Sequence, residues 1–198
     1  MSRTYERLLA GRVEAGAVDR LSRYAALLEQ WSDAHSLVRF TSPEDLVERH
    51  ILESVAYQPT ETAGLLVDVG SGAGLPGVPL LCTRPDWRGV LVEPRQKRWA
   101  FLRRVVRELE LDARVERGRY QDYRPDASPT VITARAIGGY GDLLKWAGGV
   151  LGPGGRVVLW GTVELAEELA ETSGWRVLSS PLSRLERGRI IEIHPCFT

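Results

Sequence analysis

Leu65-Leu66-Val67-Asp68-Val69-Gly70-Ser71-Gly72-Ala73-Gly74-Leu75-Pro76-Gly77 is the stretch that decides the fold. A short apolar run passes at once into four glycines within eight positions. The run predicts a buried strand, and the glycines predict a tight turn that opens a helix. Glycine has no Cβ and tolerates positive φ, so a small ligand can approach the main chain of such a turn closely.

Outward from this turn the pattern alternates. Strands are predicted over 65–69, 89–92, 113–116, 130–133 and 156–160, with helices over 77–82, 96–109, 140–150 and 163–170. Two last strands, 175–178 and 189–194, are expected to form an antiparallel pair. Alternating β and α units imply an α/β fold: a Rossmann-like, mostly parallel seven-stranded sheet with helices on both faces. Ligands of such sheets sit beyond the carboxyl ends of the strands. Residues 61–198 read as this domain, and residues 1–60 as a helical extension. Within the extension, Leu21, Tyr24, Ala25, Leu27, Leu28 and Trp31 line one helix face. Thr41-Ser42-Pro43-Glu44-Asp45 is a helix start: a hydroxyl cap, proline at the first helical position and acids in the first turn. Leu46, Val47, His50, Ile51, Ser54 and Val55 continue it at helical spacing.

The composition is that of a soluble globular protein, 43% hydrophobic and 26% charged, with zero formal net charge. That balance gives no global case for nucleic-acid binding. Locally, eight basic residues face only Asp86 and Glu93 between Arg84 and Arg107, which makes a basic patch or a solvated helix face. Cys82 and Cys196 are far apart, and His35, His50 and His194 are scattered, so neither a disulfide framework nor a zinc site is expected. No apolar run reaches membrane-spanning length and no signal-peptide pattern is present, so the expectation is a cytoplasmic protein without membrane contact, acting as a monomer.

The glycine turn admits three readings. Gly72-Ala73-Gly74-Leu75-Pro76-Gly77 is a G-x-G-x-x-G, a weak sign of a dinucleotide by itself. A phosphate-binding P-loop is excluded, because no Gly-Lys-Ser/Thr follows. The third reading is acidic-x-Gly-x-Gly-x-Gly, an S-adenosylmethionine turn, running from Asp68 through Gly70, Ser71 and Gly72 to Gly74. Asp68 discriminates: a carboxylate repels a pyrophosphate, whereas S-adenosylmethionine carries a sulfonium and an ammonium. Glu93 ends the second strand and suits the two hydroxyls of an adenosine ribose, a role common to both cofactor classes. After the third strand, Tyr120 and Gln121 or Asp122 border the expected adenine edge, where the tyrosines can equally be packing residues.

The fourth strand ends at Thr133-Ala134-Arg135-Ala136, facing the transferred group. It lacks the Asn/Asp-Pro-Pro-aromatic turn of exocyclic-amine methylation, and neither cysteine is placed as a nucleophile. Arg135 stays protonated and cannot be a general base, but its fork can hold a carboxylate or phosphate. A substrate atom that is already nucleophilic and carries no proton, such as guanine N7, fits this edge.

Several blocks together resemble the bacterial small-subunit ribosomal RNA methyltransferase G family, also called GidB. Asp68 to Gly77 is similar to the family's cofactor turn, with Leu75-Pro76-Gly77 its distinctive extension. Arg84-Pro85, Lys97-Arg98 with Phe101-Leu102-Arg103, Thr133-Ala134-Arg135-Ala136, and Arg49-His50-Ile51-Leu52-Glu53-Ser54 resemble further blocks, over about two-thirds of the chain. The resemblance implies a class I methyltransferase fold that transfers methyl from S-adenosylmethionine, leaving S-adenosylhomocysteine, to guanine N7 of small-subunit ribosomal RNA. It puts family cofactor contacts on Gly70, Leu75, Tyr120, Gln121 and Arg135. Arg95, Lys97, Arg98, Arg103 and Arg104 are the candidates for RNA phosphate contacts. His35-Ser36-Leu37-Val38, Trp160-Gly161 and Glu192-Ile193-His194-Pro195 depart from the family pattern, on the side where RNA contacts are expected. The alternatives are a divergent methyltransferase for another RNA or a small molecule, and a non-catalytic cofactor-binding module.

Overall fold

The computed structural model describes residues 2–35, 37–182 and 186–196. Seven strands form one sheet: β1 (Gly64–Val69), β2 (Trp87–Val92), β3 (Ala113–Glu116), β4 (Val131–Arg135), β5 (Arg156–Thr162), β6 (Trp175–Pro181) and β7 (Gly188–Pro195). Their spatial order is β3-β2-β1-β4-β5-β7-β6. The first five run parallel, and β7 is antiparallel to both β5 and β6. The order reverses direction between β1 and β4, which puts the expected ligand crevice beyond Val69 and Arg135.

The parallel strands read as nearly unbroken aliphatic runs because both faces are covered. Val67, Val69, Ile132, Ala134, Val157 and Leu159 pack on one face against α6 (Tyr140–Gly148) and α7 (Val163–Ala170). Leu66, Leu91, Val131, Val158 and Trp160 point to the other face. There α4 (Gly77–Thr83) and α5 (Gln96–Glu108) lie under a further layer of α1 (Ser2–Leu9) and α2 (Val18–His35). Residues of α1 and α2, with Leu46, Val47 and Ile51, share one apolar cluster with α4 and α5, so the N-terminal helices thicken that face.

The predicted helix start at Ser42 is present in full. The Ser42 hydroxyl accepts from the Asp45 amide at 3.1 Å, with Pro43 at the first helical position. The helix that follows is not regular: α3 (Pro43–Leu46) widens at once into a π-turn, Val47–Leu52. Such wide turns inside helices frequently mark functional positions. No helix among the described residues is long and apolar enough to cross a membrane.

Candidate functional site

The glycine turn is held in a conformation that only glycines accept without strain. Gly70, Gly72 and Gly74 have φ of +67°, +58° and +96°. A Cβ on Gly74 would come 2.7 Å from Val78 Cγ2, and one on Gly77 would come 2.8 Å from the Asp68 Cβ. The turn thus folds back onto its own strand. The Gly70 and Ser71 amides donate to the Val92 carbonyl, at 2.9 and 3.1 Å, tying β1 to the end of β2. Leu75 is buried at the end of the turn.

Glu93 organises the same region. One carboxylate oxygen accepts the Gly72 amide at 2.9 Å and the other accepts the Arg95 amide at 2.8 Å. A carboxylate offers about four lone-pair sites, so two remain for further donors. Asp68 lies beneath the turn and has no exposed surface, so it does not meet a bound cation face to face. Its Oδ1 accepts from the Thr133 hydroxyl at 2.7 Å, and the Ser71 hydroxyl donates to its carbonyl at 2.8 Å. Burial pushes the Asp68 carboxyl up to about 7, against the hydrogen bonds that favour its charge.

Tyr120 and Gln121 stand on a single 3-10 turn, Tyr120–Asp122, after β3. The Tyr120 ring packs edge-on against Trp146, with centroids 5.5 Å apart. Gln121 lines an open cavity of about 460 Å³ together with Arg124, Lys145, Trp146 and Val150. The tyrosine therefore packs, and the glutamine faces free space.

Arg135, at the end of β4, is bound to the N-terminal helices. Its Nη2 pairs with Glu53 at 2.8 Å and donates to the Arg49 carbonyl of the π-turn at 3.0 Å. Glu53 is 94% buried by its 6% exposure, and burial raises its carboxyl above the ordinary range while Arg135 opposes the shift. Arg135 Nη1 and Glu53 Oε1 are both buried without a hydrogen-bond partner. Trp160 completes the cluster: its Nε1 donates to the Glu53 carbonyl at 2.7 Å. Trp160, one of the three departures, is thus a buried anchor.

The candidate RNA group divides. Arg95, Lys97 and Arg98 stand at the start of α5, where Arg98 reaches the glycine turn and the Arg95 amide shares Glu93 with it. Arg103 stacks over Trp99 at 4.8 Å, and Arg104 pairs with Glu108 at 2.6 Å and lies 6.0 Å from the Trp31 ring. These two lie roughly 10 Å further along the helix, away from the strand ends. Of the three departures, Ser36 lies outside the described residues. Glu192 to Pro195 lies at the far end of the sheet, because β7 runs antiparallel and Ile193 faces Val157 near the start of β5.

Four contributors had no role assigned from sequence: Tyr24, Glu53, Thr133 and Trp160. The Tyr24 hydroxyl donates to the Ala73 carbonyl at 2.8 Å, so α2 holds the turn from behind. A tyrosine amid an apolar helix face is itself a signal, since a buried hydroxyl needs a partner. Among the described residues no group of three or more histidine, cysteine or acidic side chains could hold a metal ion.

Comparison with known proteins agrees with this architecture. Solved structures with the same fold include a methyltransferase from Geobacter sulfurreducens, with a TM-score of 0.61 at 12% identity, covering 86% of this chain and 89% of that one. Another is precorrin-6y C5,15-methyltransferase from Geobacter metallireducens, with a TM-score of 0.59 at 16% identity, covering 82% and 95%. In sequence, the ribosomal RNA small subunit methyltransferase G of Xanthomonas axonopodis pv. citri is 38% identical over 172 residues, 86% of this chain and 81% of that protein. That of Stenotrophomonas maltophilia strain K279a is 37% identical over 174 residues, covering 86% and 82%. Residues 17–183 match the family described as GidB, rRNA small subunit methyltransferase G. The chain belongs to the GidB family.

Proposed function

We propose that the protein is an S-adenosylmethionine-dependent methyltransferase that modifies guanine N7 in small-subunit ribosomal RNA, in the cytoplasm and as a monomer. The observation that carries the cofactor half is the joined pair of glycine turn and Glu93, linked by the 2.9 Å bond from the Gly72 amide. The site fits the group in shape, since a Cβ at Gly72 would project into space bordered only by the Gly70 carbonyl and Arg98. It fits in charge too, with Asp68 beneath the turn and Glu93 beside it. When bound, S-adenosylmethionine supplies a methyl group on a sulfonium.

In this reading Gly70, Ser71, Gly72, Gly74 and Leu75 shape the cradle. Glu93 takes the ribose hydroxyls on its remaining lone pairs, and Gln121 borders the adenine. Asp68 acts through the turn, its buried carboxyl drawn up to about 7 and favoured in its charged form by a cation nearby. Arg135 is the candidate catalytic residue, held at the acceptor edge by Glu53. Guanine N7 has a lone pair and no proton, so its methylation asks for alignment and not for a base. A permanently protonated arginine at this edge is consistent with that demand. Residues 1–60 are then part of the site, supplying Tyr24 and Glu53, and the α/β domain begins near residue 61.

The test is transfer of labelled methyl from S-adenosylmethionine to small-subunit RNA, both naked and in assembled subunits. The expected result is label in N7-methylguanine, reduced at least tenfold by Arg135→Ala. Tight cofactor binding with no label in either RNA would instead favour another acceptor or a non-catalytic module.

A further inference from the structure

Arg98 is the basic residue that the fold brings onto the glycine turn. Outside its own flanks, a Cβ built on Gly72 would meet two atoms within 4 Å: the Gly70 carbonyl oxygen at 3.6 Å and Arg98 Nη1 at 3.7 Å. The guanidinium therefore stands over the turn at the place where the chain lies most open. Among the described residues Arg98 makes no hydrogen bond or ion pair, whereas Arg103 and Arg104 on the same helix are committed to Trp99, Trp31 and Glu108. It also occupies the first turn of α5, which contains no acidic residue. The carboxylate at that helix end, Glu93, is already engaged by the Gly72 and Arg95 amides and makes no hydrogen bond to Arg98.

We infer that Arg98 binds the carboxylate of the methionine portion of the methyl donor, and not an RNA phosphate. The inference rests on the reading of this turn as the S-adenosylmethionine site. That ligand carries two cations and one carboxylate at its amino-acid end. Asp68, buried beneath the turn, acts on the cations only through the intervening main chain, while Arg98, whose guanidinium reaches the open side of Gly72, is placed for the carboxylate. A planar guanidinium matches a carboxylate with two parallel hydrogen bonds, which a lysine cannot do.

The experiment is calorimetric titration of the full chain with S-adenosylmethionine and with its decarboxylated form, which keeps the sulfonium and the amine. Wild type is expected to prefer the complete molecule. Arg98→Ala should weaken that molecule about 30-fold, the fold-change expected of a charge-assisted hydrogen bond. The variant should leave the decarboxylated form within about twofold, and Arg98→Lys should fall between. Arg98 has no internal partner to lose, and an unchanged unfolding midpoint serves as the control. Equal weakening of both ligands, or of neither, overturns the assignment. Loss of RNA affinity with unchanged nucleoside binding also overturns it, in favour of a phosphate contact. A wild type that binds neither ligand overturns the cofactor reading itself, and this inference with it.

Discussion

The glycine turn and the Arg135 cluster lie on one edge of the same sheet, yet they are built by opposite means. The turn is main chain: contiguous residues, three positive φ angles and amides given to Val92 and Glu93. The Arg135 cluster is side chains gathered from afar, with Glu53 82 residues before Arg135 and Trp160 107 residues after Glu53. Part of one region is thus local backbone chemistry, and the other exists only once the N-terminal helices have docked. Asp68 joins them, because its Oδ1 reaches Thr133 on β4 and its carbonyl takes the Ser71 hydroxyl of the turn.

The largest expected effect sits at that junction. The Asp68 carboxyl is raised to about 7 in the folded chain, above the unfolded value of roughly 4. Below roughly pH 4 both states are protonated and its burial costs nothing; through the window up to about 7 the unfolded chain ionises first, so wild-type stability falls as pH rises. Asp68→Asn should therefore gain stability relative to wild type across this window, by up to about 4 kcal/mol, while weakening S-adenosylmethionine binding. Denaturant unfolding at several pH values, paired with calorimetry, checks both; parallel pH profiles for the two proteins would show that the group is ordinary.

Gly74→Ala strikes the turn alone. A left-handed φ and a Cβ 2.7 Å from Val78 combine strain with overpacking. Together they should cost about 3 kcal/mol, lowering the unfolding midpoint by roughly 10 °C, with loss of cofactor binding. A stable variant with native affinity would break the claim that the turn is conformationally fixed. For the other region, a double-mutant cycle of Glu53→Gln and Arg135→Ala should give a coupling energy of about 2 kcal/mol, discounted because Arg135 is partly exposed. Additive losses would mean that the two side chains only happen to be close. The smallest effect crosses between the regions: Tyr24→Phe should cost about 1 kcal/mol, by leaving the Ala73 carbonyl without its donor, and weaken cofactor binding only a few-fold.

The same contrast explains what was legible in the sequence. The alternation of strands and helices, the antiparallel final pair and the extent of Ala113–Glu116 and Val163–Ala170 follow from period, caps and glycine punctuation, all of which are local, whereas the spatial order of the strands is set by pairing between distant segments. Gly70 to Gly74 could be read because a turn's requirements are written into the turn. Glu53 could not be assigned, since nothing in Arg49 to Ser54 states that its partner lies on β4. The π-turn is indistinguishable from regular helix in the sequence, because a single widened turn leaves the apolar spacing almost unchanged. Arg98 and Arg103 looked equivalent in a basic run; helix geometry sets one over the turn and the other on Trp99.

The Asp68–Thr133 bond has a consequence for how the chain finds its fold. These residues are register partners in the parallel pairing of β1 with β4, strands more than sixty positions apart. A slip of one residue would turn Asp68 to the opposite face, against the aliphatic side chains of Ile132, Ala134 and Leu143, and take it away from the Thr133 hydroxyl. Aliphatic strands alone tolerate such misalignment, because one valine replaces another at little loss. The buried carboxylate makes the misaligned sheet carry an unanswered polar group, so the same residue that weakens the native state at neutral pH penalises its nearest competitors more.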